Sequence, residues 1–243
     1  YFQGTPATYK IMLESGWEKV TDCAMITCGE PLTNALAEEM LKKCTAFYNM
    51  YGPTETTIYS TGTKIETSEG QITIGKPIQN TEVYIIDKDG NLLPENIVGE
   101  ICIAGEGVAR EYHNRPELNQ EKFVDDPFSD TPGKMFKTGD LGKYNADGDI
   151  VCLGRKDHQV KLRGYRIELG EIDWQIKQLG GIRDVVTIVR EDKPGDQRLV
   201  SYLITDEHIS ADNNSSRQWR EQLRKVLPEY MVREAVEDGL LIA

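Results

Sequence analysis

The sequence predicts an α/β sheet that runs into a β-rich, barrel-like or meandering region, followed by a small α+β domain. Three observations predict it. First, residues 24–27, an apolar helical face after Pro31 and residues 44–48 follow a strand–helix–strand order, which implies a parallel strand pair. Second, from Ile72 the pattern changes to short apolar runs divided by turn residues. Third, residues 154–171 carry two alternating strands around Gly164 and then open a helix, so a compact new unit starts there. With 243 residues, 39% of them hydrophobic, the chain is long enough for two unequal domains. The expected division is 5–156 and 157–243.

Each element has a local reason. Tyr1-Phe2-Gln3-Gly4 has the form of a tag remnant and is set outside the expected fold. Residues 8–13 are short and amphipathic, which predicts a helix, and 24–27 read as a buried strand ending at Cys28-Gly29. Pro31 suits a first helical turn, with Leu32, Leu36, Met40 and Leu41 on one face. Residues 44–48 return as a strand, and 49–57 lie at its carboxyl end, where open α/β sheets gather ligands. Strands are expected at 82–87, 100–104 and 150–153, a turn at Asp89-Gly90-Asn91, a short helix within 117–123 and a loop at 127–133.

In the second unit, Val160 and Leu162 alternate with Gln159, Lys161 and Arg163, giving one apolar and one cationic side. Tyr165, Ile167 and Leu169 alternate with Arg166 and Glu168, completing a hairpin. Ile172, Ile176 and Leu179 then fall at helical spacing before Gly180-Gly181. Strands at 185–189 and 199–204 flank the turn-rich Asp192-Lys193-Pro194-Gly195-Asp196. Ser215 or Ser216 is the expected cap of a helix that carries Trp219, Leu223 and Val226 and ends at Pro228, while 212–216 read as loop-like. The order is ββα-ββα.

Charge and cysteine usage narrow the function classes. A formal net charge of −12 disfavours a nucleic-acid or anionic-membrane surface, which needs clustered cations. The five cysteines show no close pairing, and only His113, His158 and His208 could supplement them as soft ligands. Free thiols in a reducing cytoplasm are expected. No apolar run reaches the length of a membrane span.

Two segments carry chemistry. Tyr51-Gly52-Pro53-Thr54-Glu55-Thr56-Thr57 places turn formers, hydroxyls and one carboxylate after a strand. Free backbone N–H groups and hydroxyls suit a phosphate, and a lone carboxylate suits Mg²⁺ bound to it. A surface turn before a Thr-rich strand uses the same residues. Lys137-Thr138-Gly139-Asp140 offers a carboxylate after a glycine turn that can accept two ribose hydroxyls, as helix caps and ordinary turns also do.

Five segments then occur in one order: Asn49-Met50-Tyr51-Gly52-Pro53-Thr54-Glu55, residues 99–110, Lys137-Thr138-Gly139-Asp140-Leu141, residues 154–171, and Leu227-Pro228-Glu229-Tyr230-Met231. Together they resemble the adenylation domain of nonribosomal peptide synthetases, within the adenylate-forming ligase superfamily, over nearly the whole chain. The resemblance implies part of a large adenylate-forming domain followed by a small mobile one. It implies that ATP and a carboxylic substrate give an aminoacyl adenylate, and that a carrier-protein phosphopantetheine thiol then takes the acyl group. Carried over by position, Tyr51 would stack on adenine and Asn49 would bond its exocyclic amine. Thr54 would meet phosphate, Glu55 would hold Mg²⁺, and Asp140 would accept the ribose hydroxyls with Arg155 also at the nucleotide. Asp157 would be the hinge; Lys161 would approach the site in a second conformation, and Gly164 would leave space for the phosphopantetheine arm. Without the resemblance, Arg155 and Lys161 read as solvated strand charge and Gly164 as a hairpin turn. Ile26, Cys28, Met50, Ile58 and Tyr59 align with the family's amino-acid pocket, which favours a hydrophobic side chain. Core packing of Ile26 and Ile58 is the plainer alternative. Implied partners are a peptidyl carrier protein and neighbouring synthetase domains.

The sequence also departs from the pattern. The family's glycine-rich phosphate loop and amine-binding aspartate would lie before Thr5, and the segment after Met231 has no lysine where the family has a catalytic one. A cut or altered terminus is expected, leaving this chain catalytically crippled by itself. An acyl- or aryl-CoA ligase of the same superfamily and a non-catalytic docking fragment are the rival readings.

Overall fold

The structure, a computed structural model, describes residues 1–18, 22–157, 159–193, 196–205, 213–232 and 240–242. It divides into two compact units, Tyr1–Asp157 and His158–Ala243. His158 and His208 lie outside the described residues.

The first unit opens with β1 (Phe2–Gly4), α1 (Pro6–Glu14), β2 (Ala24–Thr27), α2 (Asn34–Leu41) and β3 (Ala46–Tyr51). Beyond a 3-10 turn (Thr54–Thr56) come β4 (Thr61–Ile65) and β5 (Lys76–Pro77), and these five strands form one sheet in the order β1-β2-β3-β4-β5. The pair β2 and β3 is parallel, as the strand–helix–strand order requires. Residues 2–4 depart from expectation: they form the edge strand, pairing Phe2 with Met25 and Gly4 with Thr27. Joining a sheet edge takes only extended backbone with its own N–H and C=O groups, whatever the side chains. The helix after Pro31 also starts later than expected. Thr33 is its cap, accepting the Leu36 N–H at 3.3 Å, and this leaves Pro31 outside. Leu32, Leu36, Ala37 and Met40 still bury against Tyr9, Met25 and Phe47.

The second sheet is antiparallel. It contains β6 (Thr81–Ile86), β7 (Gly99–Gly105), β8 (Phe123–Asp125, after α3, Pro116–Lys122), β9 (Lys134–Tyr144) and β10 (Ile150–Arg155), in the order β10-β9-β7-β6 with β8 on β9. Residues 99–104 of β7 are buried, because Ile101 and Ile103 face one apolar cluster while Cys102 and Ala104 face another. A central strand covered on both sides needs such a run. An antiparallel bridge between Gly75 and Ile150 links the two sheets. Residues 137–140 are not a turn between strands. They lie inside β9, where one residue of β7, Ile101, faces the three residues 138–140. This bulge needs a left-handed backbone, which Gly139 supplies at φ 77°.

The second unit contains β11 (Gln159–Leu162), β12 (Tyr165–Glu168), α4 (Leu169–Lys177), β13 (Ile182–Lys193), β14 (Asp196–Thr205), α5 (Asn213–Leu223), α6 (Glu229–Val232) and β15 (Leu240–Ile242). Arg163 (φ 50°) and Gly164 (φ 82°) join β11 to β12, and two left-handed residues make the type I′ turn that matches strand twist. The expected sorting of this hairpin fails at two residues. Gln159 is buried, bonded to Glu168 and accepting from Arg166 Nε at 2.6 Å, while Tyr165 is 48% exposed and stacks on Tyr230 with ring centroids 4.3 Å apart. A buried amide is tolerated once bonded, and a Tyr ring is shielded as well by another ring as by a core. Ile172, Ile176 and Leu179 bury with Leu199, Leu203, Trp219 and Leu223.

Three further expectations are corrected. Pairing of β13 with β14 continues to Lys193 and Asp196, so most of the expected turn is strand; Pro194-Gly195 lie outside the described residues. The last long helix begins at Asn213, which puts both candidate cap serines inside it, because an amphipathic face that packs overrides local loop preference. Val226 is 55% exposed and Leu227 takes the core position, its N–H bonded to the Leu223 carbonyl at 2.8 Å. β15, parallel to β14, is a strand the sequence pattern did not suggest.

Candidate functional site

The β9 bulge gathers the first cluster. Asp140, 3% exposed, accepts the Tyr51 hydroxyl on Oδ2 at 2.5 Å and Arg155 Nη1 on Oδ1 at 2.8 Å. Thr138 Oγ1 accepts the Asp140 N–H at 2.9 Å and donates to the Ile101 carbonyl at 2.7 Å, which pins both ends of the bulge. A second bulge aims Arg155: between Cys152 and Gly154 of β10, Leu153 has no opposite residue and stands 46% exposed. Arg155 also grips Asp157 through two bonds of 2.6 Å, Nε to Oδ1 and Nη2 to Oδ2. The guanidinium therefore bridges two carboxylates. Burial works to lower its pKa, but the hydrogen bonds and charges of Asp157 and Asp140 outweigh it and shift the group upward. Burial, then the Asp140 charge, lifts the Tyr51 phenol well above its ordinary value, so it stays a donor.

The second cluster surrounds the 3-10 turn. Glu55 is 9% exposed and accepts the Tyr112 hydroxyl on Oε1 at 2.5 Å; its carbonyl accepts the Ala109 N–H at 2.8 Å. Thr54 is exposed, and Thr57 Oγ1 donates to the Gly107 carbonyl at 2.8 Å. The segment 105–112 is thus laced to the turn. Thr57 (φ 61°) and Ile58 (φ 72°) both have left-handed backbone, an unusual state for β-branched residues that surrounding packing has to hold. Gly52 makes this possible, because a Cβ there would lie 2.5 Å from the Ile58 carbonyl oxygen.

The expected site residues are distributed as follows. Asn49 is buried on β3, its amide donating to the Thr73 carbonyl at 2.8 Å. Tyr51, 6% exposed, packs beside Val83, Ile85 and Ile101. Of the pocket candidates, Ile26 and Met50 are partly buried, Met50 lying over Gly62, and Cys28 sits near the Tyr59 phenol, whose pKa burial raises. Ile58 is 61% exposed, which removes core packing as its explanation. Lys161, partly buried on β11, and Gly164, exposed at the hairpin turn, belong to the second unit. Cys44 and Cys102 are buried, and Cys23, Cys28 and Cys152 partly so.

Sequence reasoning missed three residues. Glu100, 8% exposed on β7, accepts the Gly139 N–H on Oε1 at 3.0 Å and Lys156 Nζ on Oε2 at 2.6 Å. A lone carboxylate inside the apolar run 99–104 was a usable signal, since buried charge demands a partner. Tyr112 and Lys156 left no such trace, being 57 and 56 residues from their carboxylate partners.

The AMP-binding enzyme family model matches residues 1–113. A dimodular nonribosomal peptide synthase of Bacillus subtilis (strain 168) is 41% identical over 96% of this chain, which spans 10% of that protein. Tyrocidine synthase 1 of Brevibacillus parabrevis is 44% identical over 93% of this chain, here 20% of the relative. Among solved structures, a four-domain nonribosomal peptide synthetase bound to AMP and glycine matches 99% of this chain and 18% of its own, at 37% identity and a TM-score of 0.62. The Vibrio cholerae adenylation domain AlmE shares the fold over the entire chain and 46% of its own, at 23% identity and a TM-score of 0.81. With its five ordered motifs and this fold, the chain belongs to the AMP-binding enzymes, in the group formed by the adenylation domains of nonribosomal peptide synthetases.

Proposed function

We propose that this chain contributes to an ATP-dependent ligase that converts an amino acid to its aminoacyl adenylate and passes the acyl group to a carrier-protein phosphopantetheine thiol. The observation that carries the reading is the buried Asp140 carboxylate on the β9 bulge, oriented by Tyr51 and Arg155. A carboxylate accepts about four hydrogen bonds, which suits a ribose diol. The relatives support the rest: one solved neighbour is bound to AMP and glycine, another to glycyl-adenosine-5'-phosphate.

In this reading the substrate carboxylate attacks the α-phosphorus of ATP, the bond to pyrophosphate breaks, and the thiol sulfur later attacks the acyl carbon and expels AMP. Displacement at phosphorus asks the protein for positioning and charge neutralisation rather than a nucleophile. Asn49 and Tyr51 serve adenine, Thr54 the phosphate, and Asp140 with Arg155 the ribose. Mg²⁺ would neutralise phosphate charge when bound. Such an ion keeps several waters and needs one or two carboxylates beside the phosphates. Glu55, a single buried carboxylate at a hydroxyl-rich turn, fits that demand. Asp157 serves as hinge, and Lys161 and Gly164 act in the thioester half-reaction, Gly164 giving passage to the arm. Ile26, Cys28, Met50, Ile58 and Tyr59 select a hydrophobic amino acid, and the ligase works in the cytoplasm.

The test is amino-acid-dependent ATP–pyrophosphate exchange over a substrate panel, on this chain and on a version lengthened at both ends after its relatives. Exchange in the lengthened protein with a hydrophobic amino acid is expected. Exchange in neither, with CoA-dependent AMP release from simple carboxylic acids instead, would replace this reading by an acyl-CoA ligase.

A further inference from the structure

We infer that Glu100 is a positioning residue for the nucleotide site: through the Gly139 amide it sets the β9 bulge that presents Asp140. This inference rests on the ribose-binding role proposed for Asp140.

The bulge interrupts the β7–β9 ladder, so the backbone groups of residues 138–140 need other partners. Three of them, the Asp140 N–H and both groups of Gly139, are bonded away from the β7 ladder. The Thr138 hydroxyl closes onto the Ile101 carbonyl and the Asp140 N–H. The Gly139 N–H goes to Glu100 Oε1 at 3.0 Å, and the Gly139 carbonyl accepts the Lys156 N–H at 2.9 Å. Lys156 Nζ returns to Glu100 Oε2 at 2.6 Å, which closes a ring of Glu100, Gly139 and Lys156. Gly139 leaves no slack on its open side either, since a Cβ would lie 2.7 Å from Arg155 Nη2 and 3.0 Å from Asp157 Oδ2. Glu100 is thus the side chain that holds the middle of the bulge, one residue before the carboxylate and beneath the guanidinium that orients it.

The two oxygens of Glu100 make separable contributions. The Gly139 bond lies in the buried strand pair, whereas the ion pair joins a Glu100 side chain 10% exposed to a Lys156 side chain 42% exposed, on whose open side water can take the place of the ammonium. Positioning therefore runs through the amide bond and not through the ion pair.

The experiment is direct binding of AMP and of 2′,3′-dideoxy-AMP to the lengthened protein, because the ratio of the two affinities reads the contact to the diol. Glu100→Ala is expected to shrink that ratio by about tenfold, the scale of one hydrogen bond to a charged group. Glu100→Met does the same where the alanine variant fails to fold. Glu100→Gln, which keeps an acceptor for the amide, and Lys156→Met, which removes only the ion pair, should keep the ratio within about twofold. A ratio preserved in Glu100→Ala or Glu100→Met, with both ligands weakened equally, overturns the inference and leaves a structural role. Loss of the ratio in Lys156→Met overturns it in favour of the ion pair. If the unaltered protein binds both ligands equally, the ribose role of Asp140 fails, and this inference with it.

Discussion

The bulged strands of the first unit and the β11–β12 hairpin of the second place candidate residues by opposite means. On β9 and β10, broken register puts Asp140 and Arg155 where an unbroken ladder would not, and a mesh of buried bonds holds them. On the hairpin the register is unbroken from Gln159–Glu168 to Leu162–Tyr165, and a two-residue turn fixes Lys161 and Gly164. A site built on register defects depends on distant partners. One built on a turn depends on which residue tolerates a left-handed backbone.

The largest effect that separates the two is expected at Asp140. Asp140→Asn leaves Arg155, with its side chain 11% exposed, short of one carboxylate, and should cost about 3 kcal/mol of unfolding free energy. Urea denaturation followed by hydrogen exchange should place that loss in the first unit alone. Equal loss of protection in β11–β12 would erase the contrast.

Gly164→Val should act on the other side. Its φ of 82° puts a β-branched residue in a left-handed turn, at a cost of about 1–3 kcal/mol, read as loss of exchange protection in β11 and β12 with the β9 amides unchanged. Protection retained in the hairpin would show that the turn does not set its register.

A slope with pH, and not a single step, sharpens the picture of the first unit. Burial chiefly, then the Glu100 charge, pushes the Cys102 thiol up to about 12. Because the folded value lies above that of the unfolded chain, its stabilisation is complete below the unfolded value of about 8.5 and is lost as pH rises toward 12. The unfolding free energy should fall across that interval, by no more than about 1.4 kcal/mol per pH unit from this thiol, and less steeply in Cys102→Ala. An identical slope in both proteins would assign the decline to other groups, such as Tyr51.

Much of this molecule was legible in its residues. Alternation of Val160-Lys161-Leu162 around Arg163-Gly164 announced a hairpin because side-chain partition and turn chemistry are local, and Ile172 and Ile176 marked a helix for the same reason. The five motifs in order pointed to the family. Element ends read less well where packing outweighed preference, as at Asn213, or where a side chain capped a later residue, as Thr33 does.

By itself, then, the sequence determined which segments partition into a core, that a hairpin turns at Gly164 and which family the chain joins, since these follow from neighbouring residues. Only the tertiary structure decided that Lys137-Thr138-Gly139-Asp140 is a bulge and not a turn, that Glu100 holds its middle from 39 residues away, and that Tyr51 and Asp140 meet across 89. Register between distant strands comes from packing two apolar faces at once, and no local window of the chain contains both.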